Sequence, residues 1–115
     1  VKLSVVANAL LTSSSNDILI SSATAWEIST KYRLGKLTEL DRLPAGPGPT
    51  LLADLAAERF SPLAITPAHG VRAGEYDLAH GDPFDRILAA QSELEGVPLV
   101  TRDPAFAQFP CETLW

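Results

Sequence analysis

Cysteine is nearly absent: the 115-residue chain holds one, Cys111. That excludes an internal disulfide and any multi-cysteine zinc site. Cys111 reads as a small buried residue in a late strand. A reducing cytoplasm is the natural compartment for such a chain. No apolar run is long enough to cross a membrane. The opening VKLSVVANALL has one lysine, a short apolar stretch and no clear small-residue cleavage site after it. It reads as a helix rather than a signal peptide. Positive charge is scarce as well. Nine Lys and Arg against fourteen Asp and Glu leave a net charge of −5, which argues against a broad basic surface. It leaves open an acidic pocket flanked by a few arginines. No charged tail, repeat or low-complexity tract occurs, and no Ser-His or Cys-His arrangement is evident. What is present is a 46% apolar, 20% charged chain, the balance of one globular domain over residues 1–115.

The stretch HGDPFDRILAAQSELEGVPLVTRD, residues 80–103, organises the rest. Asp82 fits a helix N-cap, where a short side chain accepts from free N–H groups of the first turn. Pro83 follows at the first helical position, where its missing N–H costs nothing. Phe84, Ile87, Leu88, Gln91 and Leu94 share one face at helical spacing, so that face should be buried apart from Gln91. Gly96 is the expected stop. Residues 97–101 form an apolar run typical of a strand covered on both faces, with Pro98 tolerable at its start. Asp85 projects from the helix's first turn, where the macrodipole favours negative charge. Asp103 follows the strand's C-terminal end, where open parallel sheets place their ligands. Two carboxylates brought to one edge need a cation or a shared proton. Oxygen-only ligation suits Mg²⁺ or Mn²⁺.

Elsewhere, residues 1–11 are helix-like, with Leu3, Val6, Ala7 and Leu10 at three- and four-residue steps. ILIS (18–21) is a short strand. A helix then runs to about Leu34, with Gly35 ending it. A Pro/Gly loop over 40–50 precedes a helix capped by Thr50, through Leu51, Leu52, Leu55 and Ala56. Residues 63–66 read as a strand. Thr66-Pro67 opens another helix to about Tyr76, and residues 112–114 are a last strand. Strands alternating with helices predict an α/β fold with a mainly parallel sheet and helices on both faces.

The segment SSATAWEI repeats the logic of strand end, cap and acid, which makes Glu27 a third candidate. SSATAWEISTKYRLGKL together with HGDPFDRILAAQSELEGVPLVTRDPAF resembles a PIN-domain protein of the VapC toxin type, over nearly the whole chain. The resemblance implies a three-layer α/β/α fold. It also implies a metal-dependent endoribonuclease, the toxin of a toxin–antitoxin pair, with acids clustered around Mg²⁺ or Mn²⁺. The family acids map onto Glu27, Asp85 and Asp103. RNA as substrate, a cognate antitoxin and a homodimer are the implied partners. Two departures stand out. Gly81 replaces a basic residue common before DPFDR, and the family's first, central strand with its acid has no counterpart, so the chain is expected to be N-terminally incomplete. A degenerate module that binds an antitoxin or dimerises without catalysis is the rival expectation.

Each acid also has a plain structural reading. Glu27 stands three residues after Thr24, a capping-box spacing, and four before Lys31, an ion-pair spacing. Asp85 could serve the helix dipole alone, and Asp103 before Pro104 a turn or cap. Arg86 and Arg102 flank the acids and could hold RNA phosphates or pair with surface acids. Thr101 could support a metal site or bond the backbone. His69 is expected to be structural or exposed, and His80 is a weak catalytic candidate. Trp26 is expected in the core, Trp115 against the sheet or a partner.

Overall fold

The computed structural model describes residues 4–35, 52–53 and 56–115. The Pro/Gly loop over 40–50, and most of the helix expected from Thr50, lie outside the described residues. The chain divides into two compact units, Asp17–Ala64 and Val1–Asn16 with Ile65–Trp115.

In the smaller unit, β1 (Ile18–Ser21) runs directly into α2 (Ser22–Arg33), and β2 (Phe60–Leu63) returns parallel to β1. The register pairs Ile18 with Phe60 and Ser21 with Leu63. Ser21 ends the strand and caps the helix: its hydroxyl accepts from the Ala23 N–H at 3.1 Å. Gly35 adopts φ 69° just past α2. Its N–H donates to the Tyr32 carbonyl at 3.0 Å, the left-handed stop that glycine makes without a Cβ clash. β2 lies at 60–63, earlier than the expected 63–66, because Thr66 is already turned into a helix cap.

The larger unit holds α1 (Val5–Thr12), α3 (Pro67–Glu75), α4 (Pro83–Glu95), β3 (Leu99–Val100), a 3₁₀ helix (Pro104–Gln108) and β4 (Thr113–Leu114). α1 starts where Ser4 accepts from the Ala7 N–H at 3.0 Å. Its buried position is Ala7, whereas Val6 is exposed. α3 starts at a reciprocal cap. Thr66 Oγ1 accepts from the His69 N–H at 3.3 Å, and the Thr66 N–H donates to His69 Nδ1 at 2.9 Å. His69 thus fills the place usually held by Glu or Gln. With Nδ1 accepting, Nε2 carries the ring proton and donates to Glu95 Oε1 at 2.9 Å. That bond ties the start of α3 to the end of α4, so the two helices run antiparallel.

α4 has both expected ends. Asp82 Oδ1 accepts from the Asp85 N–H at 3.1 Å, and Gly96 takes φ 66°. The Gly96 N–H donates to the Glu93 carbonyl and the Val97 N–H to that of Ser92, the paired bonds of a Schellman stop. β3 pairs parallel with β4, Leu99 opposite Thr113 and Val100 opposite Leu114. The core of this unit is Ala73, Tyr76, Ala89, Ala90, Phe106 and Phe109, with Leu78, Ile87, Leu88, Leu99 and Cys111 packed against it. Phe109 is its aromatic centre, 5.2 Å from Tyr76 edge-on and 6.1 Å from Phe106. Alternating helices and strands with parallel pairing in both units make this an α/β fold. No helix among the described residues is long and apolar enough to span a membrane.

Candidate active site

The candidate site is built by α4 and β3. The Gly96 turn leads α4 through Val97 and Pro98 into β3. From Gly96, Asp85 lies roughly 16 Å back along the helix at 1.5 Å per residue. Asp103 lies at most about 23 Å along the extended chain. The two acids thus lie on opposite arms of the Gly96 turn. A ring contact joins the two sides. His80, just before α4, meets Phe109 edge-on at 5.5 Å, and Phe109 closes the 3₁₀ helix that Asp103 opens.

Asp85 is half-buried, with Oδ2 2.8 Å from His80 Nε2. A carboxylate only accepts, so the imidazole donates. Asp103 is exposed and caps the 3₁₀ helix, its Oδ1 accepting from the Ala105 N–H at 2.9 Å. Its own N–H donates to Thr101 Oγ1 at 3.1 Å, so the threonine hydroxyl shapes the turn that carries the acid. Each of these carboxylates keeps one oxygen without a hydrogen bond among the described residues.

Glu27 belongs to the smaller unit, in α2. The helix is capped by Ser21 rather than Thr24, so no capping box occupies it. Instead Oε1 lies 3.6 Å from Lys31 Nζ, and both side chains are substantially exposed. An exposed pair at this spacing contributes only about 0.3–0.5 kcal/mol, too little to withhold the carboxylate from a stronger ligand. Trp26 beside it is 66% exposed, not the core residue expected.

The two arginines separate. Arg86 donates from Nε to the Ala73 carbonyl (2.9 Å), from Nη1 to those of Leu78 (3.3 Å) and His80 (2.7 Å), and from Nη2 to Tyr76 (2.5 Å). Four of its five donors are committed to the connection between α3 and α4. That geometry gives Arg86 a structural task. Arg102 is exposed next to Asp103. Sequence reasoning did not foresee the His80–Asp85 bond or the carbonyls that Arg86 holds. The only available signal was position: a residue two before an N-cap can fold back over the first turn.

By donor chemistry the acids fit a hard divalent ion, since all offer carboxylate oxygen. Among the described residues, no three His, Cys, Asp or Glu form a group able to hold a metal. Asp85 and Asp103 are the two candidate acids that this unit carries.

A model of the PIN domain matches residues 2–110. The chain belongs to the PIN domain family. PIN domains are generally nucleases acting on RNA or DNA, typically with divalent metals, and many are toxins paired with antitoxins. No curated protein and no solved structure matches the chain. Within this PIN domain, the DPFDR segment is the start of α4 and LVTRD is β3 with its exit turn.

Proposed function

We propose that this PIN domain is a metal-dependent endoribonuclease, the toxin of a VapC-type toxin–antitoxin pair. The observation that carries the reading is the family match over residues 2–110, joined to Asp85 in the first turn of α4 and Asp103 in the turn after β3. These two acids, with Glu27 on the strength of the motif resemblance, would hold Mg²⁺ or Mn²⁺. Such an ion, when bound, lowers the pKa of a coordinated water and stabilises negative charge on the phosphate. The chain's own residues supply the rest. Asp82 and Asp103 fix the start of α4 and of the 3₁₀ helix through their caps. Arg102, exposed beside Asp103, is the residue free to meet a phosphate. The substrate is a structured RNA with an accessible single-stranded segment. A cognate antitoxin binds over these acids, and the toxin forms a homodimer.

Asp85→Asn tests this reading, because it removes a charged ligand and preserves shape. RNA cleavage in Mg²⁺ or Mn²⁺ should be abolished while the far-UV spectrum and melting temperature stay near wild type. Full cleavage by the variant would rule out the assigned role.

A second reading has one observation in its favour: no three-acid group occurs among the described residues. On that reading the chain is a non-catalytic PIN module that binds an antitoxin or dimerises. Wild-type protein that binds a partner but neither takes up Mn²⁺ nor cuts RNA would establish it over the first.

A further inference from the structure

We infer that His80 is a positioning residue that holds the Asp85 carboxylate ready for a divalent ion; this rests on the reading of Asp85 as a metal ligand. Three contacts hold His80, two to its ring and one to its main chain. Its Nε2 donates to Asp85 Oδ2 at 2.8 Å. Its ring meets Phe109 in a T-shaped contact, 5.5 Å away at 83°, a ring itself 4% exposed and packed by Tyr76 and Phe106. Its main-chain carbonyl accepts from Arg86 Nη1 at 2.7 Å. The ring therefore has little freedom to leave the carboxylate.

Asp85 needs that hold. Its backbone is capped by Asp82, but the cap touches the N–H and not the carboxylate. Among the described residues His80 is the one hydrogen-bond partner of the Asp85 side chain. Without it the carboxylate rotates about two torsions over a partly open edge. With Oδ2 engaged, one orientation persists and Oδ1 is the oxygen left to offer. A ligand oriented before the ion arrives loses less entropy on binding. Hydrogen-bond partners of metal-binding carboxylates typically contribute about 10–100-fold to affinity or activity.

The experiment is Mn²⁺ binding to the purified full chain, by calorimetry, for wild type, H80A, H80N, H80Q and D85N, with a melting temperature for each. Gln places an amide N–H near the position of Nε2, whereas Asn reaches only as far as Nδ1. His80→Ala and His80→Asn should weaken Mn²⁺ binding about 10–100-fold, and His80→Gln should restore most of it. RNA cleavage should follow the same order. If His80→Gln is as weak as His80→Asn at equal melting temperature, or if affinity follows melting temperature instead of the Gln/Asn contrast, the inference is overturned. If Asp85→Asn weakens Mn²⁺ binding and all three His80 variants bind like wild type, the inference fails and the metal reading stands. If Asp85→Asn leaves Mn²⁺ binding unchanged, the metal reading itself fails and His80 loses its role with it. Comparing Asn with Gln keeps the test decisive even if the alanine variant does not fold.

Discussion

Arg86 shows how a single side chain can organise a connection that sequence pattern leaves blank. An arginine beside an acid in a nuclease motif suggests a phosphate contact. Its donors go instead to the carbonyls of Ala73, Tyr76, Leu78 and His80. Those carbonyls leave the end of α3 and the turn after it, where no helix ladder satisfies them. Arg86→Ala strips several at once, and one polar group left short costs about 1–3 kcal/mol when buried. Arg86→Ala should therefore lose at least that much in urea unfolding. Arg86→Lys should recover only part, because a single ammonium cannot span four acceptors. A loss within about 0.5 kcal/mol, the scale of neutral surface changes, would show the contacts to be incidental. Single residues were the least legible level of the sequence. Gln91, expected as the polar exception on the α4 face, is 2% exposed, while Leu94 on the same stripe is 47% exposed. A stripe identifies a face but not how far along the helix its cover extends. Cys111 is half-buried ahead of β4 instead of within a strand, and burial pushes its thiol pKa up.

Helix ends were legible because capping is local chemistry. Asp82-Pro83, Thr66-Pro67, Gly35 and Gly96 all mark the ends read from them. At Gly96 a Cβ would meet nothing within 4 Å, so the cost of Gly96→Ala is the left-handed backbone alone. That cost is about 1–2 kcal/mol, and a matching drop in unfolding free energy is expected; an unchanged value would mean that the Schellman stop adds nothing. Strands were less legible. β2 contains Pro62, which breaks the apolar alternation and is compatible with an edge position. The packing of α3 on α4 could not be read at all, since it uses polar pairs without a motif. Glu93 accepts from Arg72 Nε at 2.6 Å and Nη2 at 3.1 Å, and from the Tyr76 hydroxyl at 2.9 Å. The Arg72 hydrogen bonds hold the Glu93 carboxyl below its ordinary range, against the opposing effect of burial. Burial and the bond to Glu93 push Tyr76 up to about 12 from 10.0. The signs follow from which state binds the proton more tightly. Glu93's contribution is full above the unfolded carboxyl value of about 4.3 and disappears as pH falls through its lower folded value. Tyr76 acts at the other end. Between about 10 and about 12 the unfolded chain ionises first, so stability falls as pH rises. Melting temperature against pH should show both limbs. Glu93→Gln should flatten the acid limb and Tyr76→Phe should reduce the alkaline one; limbs unchanged in the variants would assign the pH dependence to other groups.

For the whole chain, alternation of helix and strand was enough to read an α/β fold, and motif spacing was enough to read the PIN family that the match over 2–110 shows. Division into two compact units was not legible, because the sequence has no composition break at residue 16 or 64. The candidate acids were legible as residues, but their hydrogen-bond partners were not. His80 meets Asp85 through a turn, Lys31 meets Glu27 along a helix, and Asp103 bonds its own following backbone. The net charge of −5 bears on what the molecule meets. On the nuclease reading, an acidic chain does not attract RNA over a wide surface, so phosphate would be met locally, at Arg102 and a bound cation. The same field favours a partner of opposite sign. On the toxin reading, a small protein encoded beside this one should bind it through a basic or polar C-terminal segment that meets the candidate acids. Electrostatic attraction of this kind weakens as the screening length shrinks from about 10 Å at 0.1 M salt to about 3 Å at 1 M. Co-expression from the native operon should therefore yield a complex whose affinity falls with salt. Arg or Lys to Ala changes in the partner's C-terminal segment should reduce that salt dependence. Purification of free monomer alone at low salt would exclude both the antitoxin and the dimer, and a complex insensitive to salt would place the contact on an apolar face instead.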